Sequence, residues 1–277
     1  MDLVRVAAGA LTGFVVGMTG VGGGALMTPI LLMVFGTAPL TAVGTDLWFA
    51  AITKLAIAGM HLRARVIDWP IVGWLWLGSL PASLLTVRWM ATVPSDESAV
   101  QLVRAAIGVA VCLSALSLLF QKRLRSGLGA PLTNPGTNGG TVPSGTSVGT
   151  NEGTVPTRGL TVATGAMLGL LVTLTSVGAG ALGAVCLYHL YPRRLTPLRL
   201  VATDVAHAIP LALCAGVGHL TISQVDGGLL RDLLAGSIPA AIAGAALSSR
   251  VPHTWLRRAL GTVLLVVGVV MLAGAMR

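Results

Sequence analysis

The chain has 277 residues, of which 54% are apolar and only 10% are charged, and its mean hydropathy is +0.85. A soluble domain usually carries about 25% charged residues, so this composition excludes a water-soluble globular protein. The formal net charge of +9 would suggest nucleic-acid binding in a soluble protein. Here most of the excess lies in short segments between apolar stretches, which is typical of membrane topology and predicts no nucleic-acid partner.

Eight apolar stretches are each long enough to approach or cross a hydrocarbon core of about 30 Å, which requires about 20 helical residues. They are residues 3–35, 40–61, 69–92, 100–121, 160–191, 199–219, 228–248 and 255–276. Backbone groups in lipid must bond within their own segment, which predicts helices. The sequence therefore predicts an all-α polytopic protein of the plasma (inner) membrane. We expect residues 1–19 to be retained, because their apolar stretch exceeds a signal peptide.

A hydrophilic segment divides the chain into two similar halves. Residues 122–158, rich in Gly, Pro, Thr and Ser, predict a flexible linker between a transmembrane repeat at 1–121 and another at 159–277. Residues 9–26 match residues 165–182 with 10 identities in 18 positions. Two equivalent halves are common in transporters, with the substrate held between them.

Charge distribution indicates how the repeats cross the membrane. If 3–35 and 160–191 are re-entrant hairpins broken at their glycines, 12 basic residues fall on one side and 5 on the other. Eight simple crossings would give 9 and 8. The uneven division obeys the positive-inside rule, and an unbroken helix over 3–35 would run about 50 Å. We therefore expect inverted repeats, each a hairpin plus three transmembrane helices, with both termini outside.

Two related glycine motifs predict breaks at membrane depth. Consecutive glycines favour unwinding, which is tolerated in a membrane only beside protein or a cavity. The helix that restarts there has free N–H groups that attract anions. The alternative is close helix packing, which we assign to Gly9, Gly13 and Gly17 at GxxxG spacing. The proposed ligands in these motifs are Thr19, Gly20, Gly22, Gly23 and Gly24, with Thr175, Ser176, Gly178, Ala179 and Gly180 in the second copy.

A Thr-Asp pair also occurs in both halves, as Thr45-Asp46 and Thr203-Asp204. Acids in apolar helices are functional hypotheses, so we assign the hydroxyls to substrate binding and the acids, with His207 on the face of Asp204, to proton coupling. The alternative is that these residues cap their helices.

Two kinds of basic side chain lie within or at the ends of apolar stretches. Lys54 either meets an anionic substrate or extends towards the interface. His61 and His219 occupy equivalent helix ends, where we expect interface anchors.

No motif indicates catalysis. The sequence has no HExxH, GxSxG or Walker motif and no Cys/His cluster with metal spacing, so we expect no enzyme, cofactor or metal site. The expected partners are a small anion, protons and membrane lipid, and a homodimer stays open.

The chain resembles the sulfite exporter TauE/SafE family, also called the 4-toluene sulfonate uptake permease family. The resemblance rests on Gly20-Val21-Gly22-Gly23-Gly24 with Pro29-x-Leu31, on Gly44-Thr45, and on repetition of the unit after a hydrophilic linker. It implies a secondary transporter of sulfite, sulfonates or similar small sulfur-containing anions, coupled to protons and working by alternating access between the repeats.

Two departures from the family pattern qualify that expectation. The second copy has Ala179 within its glycine motif and Val185 in the position of Pro29. Asp46 and Asp204 stand where the family more often has uncharged polar residues, which argues for protonation during transport or for a substrate other than sulfite. The alternatives are a transporter of metal ions or Na⁺ that uses these two acids, and a non-transporting membrane scaffold.

Overall fold

A computed structural model describes residues 2–19, 24–61, 66–92, 97–126, 158–178, 180–192, 194–222, 225–247 and 253–275. These ranges contain ten α-helices and no strand. The helices are α1 Leu3–Thr19, α2 Gly24–Met33, α3 Pro39–His61, α4 Trp69–Thr92, α5 Glu97–Ser126, α6 Arg158–Thr175, α7 Ala181–Leu190, α8 Pro197–Ile222, α9 Gly227–Leu247 and α10 His253–Ala275.

Six of the helices are long and apolar enough to cross a membrane. They lie in α3, α4, α5, α6, α8 and α9, and three shorter apolar helices cover Leu3–Met18, Ala181–Leu190 and Arg258–Gly274. This all-helical, membrane-spanning fold was predicted from apolar length. The first five residues of the predicted linker, 122–126, are helical, because α5 continues as far as Ser126. The division into two domains at the linker stays a prediction.

The first two helices form a hairpin. Met27 and Leu31 of α2 pack in one cluster with Leu229 and Leu233 near the start of α9, and Ala8 of α1 packs against the same cluster. The start of α1 and the end of α2 therefore lie at the same end of α9. Because α2 returns towards the start of α1, neither helix needs to cross the whole bundle.

The second hairpin has the same design at a different helix. Leu187 and Tyr191 near the end of α7 pack with Ile71 and Leu75 near the start of α4. A Cβ atom on Gly165, in the first half of α6, would collide with the backbone of Leu75. The start of α6 and the end of α7 therefore meet the start of α4.

Each hairpin packs on a helix of the other half through glycine. A Cβ atom on Gly9, Gly13 or Gly17 of α1 would overlap the α9 backbone at Leu233, Ser237 or Ala241, respectively. In the matching pair, Gly165 and Gly169 of α6 meet Leu75 and Ser79 of α4. The packing role predicted for the three α1 glycines is thus confirmed.

Helices α3 and α8 lie side by side at the centre of the fold. The Trp48 indole N–H donates to the Gly216 carbonyl over 3.1 Å, which joins the first half of α3 to the last third of α8. Asp68, shortly after the end of α3, donates its backbone N–H to the Thr203 hydroxyl near the start of α8 at 3.1 Å. The two equivalent helices therefore run in opposite directions. Which end faces outward stays a prediction.

Candidate functional site

The break between α6 and α7 is the described member of the two predicted glycine breaks. Ser176, Gly178 and Gly180 have φ values of 55°, 116° and 141°, where side chains other than glycine are disfavoured. All three residues are buried. The break thus places non-helical backbone inside the protein, as the motif predicted.

The hydroxyl of Thr175 forms hydrogen bonds with the backbone on both sides of the residue where this break begins. It donates to the Leu171 carbonyl at 2.6 Å and accepts the Val177 N–H at 3.1 Å. Gly180 then precedes the first residue of α7 with no side-chain cap. The first N–H groups of α7 therefore depend on partners other than a capping side chain.

Part of the predicted site lies outside the described residues. Gly20, Gly22, Gly23 and Ala179 belong to this part. On either side of the first glycine motif, α1 ends at Thr19 and α2 begins at Gly24. The roles proposed for these residues stay predictions.

Asp46 on α3 connects the first hairpin to the second break. Its Oδ2 atom accepts a hydrogen bond from the Thr28 hydroxyl of α2, and that hydroxyl lies 3.5 Å from the Thr175 carbonyl oxygen. The Ser176 side chain lies beside the same carboxyl group. Asp46 Oδ1 and Ser176 Oγ are buried without a hydrogen-bond partner. Buried polar atoms of this kind are rare, and they make this carboxyl group and this hydroxyl candidates for contact with a polar ligand.

Asp204 occupies the equivalent position on α8 but has different neighbours. It is buried, its Oδ1 atom has no hydrogen-bond partner, and a Cβ atom on Gly183 of α7 would collide with that oxygen. In the aligned second copy, Ala184 stands where the first copy has Thr28. The hydroxyl that binds Asp46 therefore has no equivalent beside Asp204.

Lys54 is buried near the two acids. Its side chain is only 3% exposed, and its ammonium group interacts electrostatically with Asp204 and Asp46. The alternative that Lys54 extends to the interface is wrong. The structure instead places its charge among acids from both halves of the chain.

His207 is also buried in this region, but its described contact differs from the expected one. Its Nε2 atom lies 2.9 Å from the Ser79 hydroxyl of α4, and its carbonyl oxygen accepts the Trp76 indole N–H at 3.2 Å. Asp204 Oδ1, three residues earlier, has no hydrogen-bond partner. His207 thus joins α8 to α4, and its proton-coupling role stays a prediction.

The two threonines of the Thr-Asp pairs make reciprocal contacts. Thr203 Oγ1 accepts the Asp68 N–H at 3.1 Å, and Thr45 Oγ1 accepts the Asp226 N–H at 3.3 Å. Each hydroxyl therefore satisfies the backbone at the start of a helix in the other half. Their own hydroxyl hydrogens are not used in these contacts, so substrate binding by them stays a prediction.

The expectation of an interface anchor is wrong for His219. This side chain is fully buried, and its Nε2 atom lies 2.9 Å from the Thr173 carbonyl oxygen of α6, close to the break. Burial arises because the end of α8 packs on α6, a pairing that the sequence does not reveal. The side chain of His61 lies outside the described part.

The residues that sequence analysis missed are hydroxyl partners on neighbouring helices. Thr28 and Ser79 were not predicted, although they contact Asp46 and His207. Thr28 lies one turn after the first glycine motif, and Ser79 lies beside Pro81. These positions were the available signals. Among the described residues, no group of three or more His, Cys, Asp or Glu side chains is arranged to hold a metal ion.

Comparison with known proteins identifies the family. Residues 5–271 match the sulfite exporter TauE/SafE family. The chain belongs to this family. It is also 32% identical over 275 aligned residues to a Bacillus subtilis (strain 168) protein named probable membrane transporter protein YjnA, with 97% of this chain and 98% of the relative covered. No solved structure matches the chain.

Family membership fixes the broad function of the protein. A TauE/SafE protein with six helices able to cross the bilayer is a multi-pass membrane transporter, consistent with the plasma membrane. The resemblance stated from the glycine motifs is confirmed.

Proposed function

We propose that this protein is a secondary transporter of a small sulfur-containing oxyanion, such as sulfite or a sulfonate. Transport is coupled to protons and proceeds by alternating access between the two halves. The anion binds at the glycine breaks, where main-chain N–H groups and the hydroxyl of Ser176 act as donors. Asp46, Asp204 and His207 are the candidate proton carriers.

The observation that carries this proposal is the buried break before α7. Ser176 Oγ has no hydrogen-bond partner although it is only 3% exposed, and α7 begins five residues later, at Ala181, without a side-chain cap. Donors left in this way suit an oxyanion, which accepts several hydrogen bonds and is favoured at a helix N-terminus. Family membership supports the sulfur-containing class of substrate.

The test compares two glycine substitutions in proteoliposomes. Gly178→Ala strains the break, where φ is 116°, and is expected to lower flux of sulfite or ethanesulfonate at least tenfold. Gly36→Ala is the matched control, because Gly36 also has positive φ (61°) but its Cβ would meet nothing within 4 Å. Undiminished flux in a folded Gly178→Ala protein would remove the anion site from the break.

A cation carrier is the second candidate, and the two acids favour it. Asp46 and Asp204 each have one buried carboxylate oxygen without a hydrogen-bond partner, and such oxygens can coordinate a cation. The Lys54 ammonium group beside them opposes this function, because it repels a second positive charge. A thermal-shift screen of the purified protein against sulfite, thiosulfate, sulfonates, Ni²⁺, Co²⁺ and Na⁺ separates the two candidates.

A further inference from the structure

We infer that His219 is a positioning residue for the anion site, because it keeps the break between α6 and α7 unwound. Its imidazole reaches from α8 to the last turn of α6 and bonds the Thr173 carbonyl oxygen. This inference rests on the proposed function and adds to it a residue that acts through the α6 backbone. It also gives a task to a buried histidine that the proposed function does not use.

The helical hydrogen-bond series of α6 runs as far as Ser176. The Ser176 N–H donates to the Val172 carbonyl oxygen at 2.7 Å, which is the four-residue spacing of an α-helix. The next bond of the series would run from the Val177 N–H to the Thr173 carbonyl oxygen. In the structure, each of these two groups has a different partner.

The partners of this donor and this acceptor are both side chains. The Val177 N–H donates to the Thr175 hydroxyl oxygen at 3.1 Å. The Thr173 carbonyl oxygen lies 2.9 Å from His219 Nε2, and because a carbonyl oxygen only accepts, Nε2 carries the hydrogen of this bond. One side chain therefore takes the donor, and another takes the acceptor, of the same missing helical bond.

Burial makes a partner for the Thr173 carbonyl necessary. Thr173 and His219 are both fully buried, so bulk water does not reach this oxygen, and a buried acceptor without a partner is strongly disfavoured. Without the imidazole, the Val177 N–H is the main-chain donor in register for this oxygen. Their bond would extend the helical series of α6 by one residue.

That extension would remove the geometry on which the anion site depends. Ser176 has a φ of 55°, which is far from the helical value of about −63°. A bond from Val177 to Thr173 encloses Ser176, so it would require helical backbone angles at Ser176 and would turn its unpartnered hydroxyl elsewhere. His219 thus fixes the direction of the Ser176 hydroxyl and of the main-chain N–H groups that follow it.

The experiment compares three substitutions of His219 in proteoliposomes. Glutamine can place an amide donor near the position of Nε2, asparagine is shorter, and leucine has no donor. For sulfite or ethanesulfonate, we expect KM to rise about tenfold or more in His219→Leu and His219→Asn, the scale of one lost buried hydrogen bond. His219→Gln is expected to keep KM within about threefold of the wild-type value. The maximal flux should change less than KM, because the donors to the anion are displaced while the other steps of the cycle are unaltered.

The matched control is His189→Leu, the same chemical change at another histidine that bonds a carbonyl oxygen. His189 is exposed, and its Nδ1 atom lies 2.9 Å from the Val185 carbonyl oxygen of its own helix. We expect KM of this variant to stay within about twofold of the wild-type value. Size-exclusion chromatography and thermal stability establish that each variant is folded.

A double-mutant cycle with Thr175→Val tests whether His219 acts through the break. Each change frees one member of the same helical pair, so the combined effect of Thr175→Val and His219→Leu on KM should be smaller than the product of the single effects. A histidine that only packs α8 on α6 would give effects that multiply. A structure of His219→Leu gives a readout without transport: we expect a distance of about 3 Å from the Val177 nitrogen to the Thr173 oxygen.

The outcomes distinguish this inference from the proposed function. If the wild-type protein carries neither anion, the proposed function fails and the inference fails with it. If an anion is carried but folded His219→Leu protein has an unchanged KM, or glutamine and asparagine have equal effects, the inference alone is overturned. Effects that multiply in the cycle, or a break that stays unwound in the His219→Leu structure, overturn it equally. If the leucine variant does not fold, the contrast between glutamine and asparagine decides.

Discussion

Thr45 and Thr203 each accept a backbone N–H group from the opposite half of the chain, at Asp226 and Asp68. Both threonine side chains are fully buried. The Asp68 N–H at the start of α4 has this hydroxyl as its described acceptor, so a side chain of the same shape without oxygen would leave a buried donor unsatisfied. Such a loss costs about 1–3 kcal/mol.

We therefore predict that Thr203→Val lowers the thermal stability of the purified protein by the equivalent of about 1–3 kcal/mol. Thr203→Ser keeps the acceptor and is expected to retain most of the stability. If valine left the melting temperature unchanged, the hydrogen bond to Asp68 would have no structural role. Substrate affinity measured on the valine variant would then report any separate role of the Thr203 hydroxyl in binding.

At the residue scale, burial of the acids was predictable and their partners were not. A charge in an apolar helix is rare enough that Asp46, Lys54 and Asp204 stand out in the sequence. Thr28 is an ordinary polar residue on a short apolar helix, and only the packing of α2 on α3 brings its hydroxyl to Asp46. Sequence spacing reports which residues share a helix face but not which helices meet.

Among the elements, the pair formed by α1 and α9 depends most directly on glycine. A Cβ atom on Gly17 would overlap the Ala241 carbonyl oxygen of α9, whereas a Cβ atom on Gly73 of α4 would meet nothing within 4 Å. Both residues are inside helices, where alanine is favoured over glycine by about 1 kcal/mol. The surroundings therefore decide whether replacing glycine with alanine stabilises or destabilises the protein.

We predict that Gly17→Ala destabilises the protein by about 1–3 kcal/mol, because α1 must move away from α9. Gly73→Ala is expected to leave stability unchanged or to raise it by up to about 1 kcal/mol. Thermal unfolding in detergent, followed by circular dichroism, measures both. Equal melting temperatures for the two variants would show that the close approach of α1 to α9 is not required.

Apolar length and glycine content were sufficient to predict helical segments, including the break of residues 160–191 at the glycine motif between α6 and α7. Sequence patterns could not predict which of those helices pack against each other. Small residues at four-residue spacing predict that α1 packs closely on something, but both α4 and α9 carry small residues at the matching positions. Only the fold assigns α9 to α1 and α4 to α6.

Across the whole molecule, one ion pair joins the two halves at one end of the bundle. The Arg194 guanidinium, between α7 and α8, donates to both carboxylate oxygens of Asp68 at 2.8 and 2.9 Å. The side chain of Asp68 is 7% exposed and that of Arg194 is 45% exposed. At the opposite end, Asp226 is exposed, and its Oδ1 atom accepts the Leu229 N–H within its own helix.

We predict that Arg194→Gln lowers stability by about 1–2 kcal/mol, because it leaves a largely buried carboxylate with a weaker partner; exposure of the arginine limits the effect. If this end opens during transport, the same variant will also change the rate of flux. Arg231→Gln is the control, since Arg231 is 70% exposed and contacts Asp232 at 3.4 Å; a change within about 0.5 kcal/mol is expected. A double-mutant cycle with Asp68→Asn gives the coupling energy, and a coupling of zero would contradict the prediction.

The reciprocal packing of hairpins also governs the order in which the protein can be assembled. The glycine face of α1 meets α9, and the last residue of α9, Leu247, follows the last residue of α1, Thr19, by 228 positions. At typical translation rates of about 5–20 residues per second, roughly 10–45 s separate their emergence from the ribosome. The first hairpin must therefore wait in the bilayer, or beside the insertion machinery, for a partner that has not yet been synthesised.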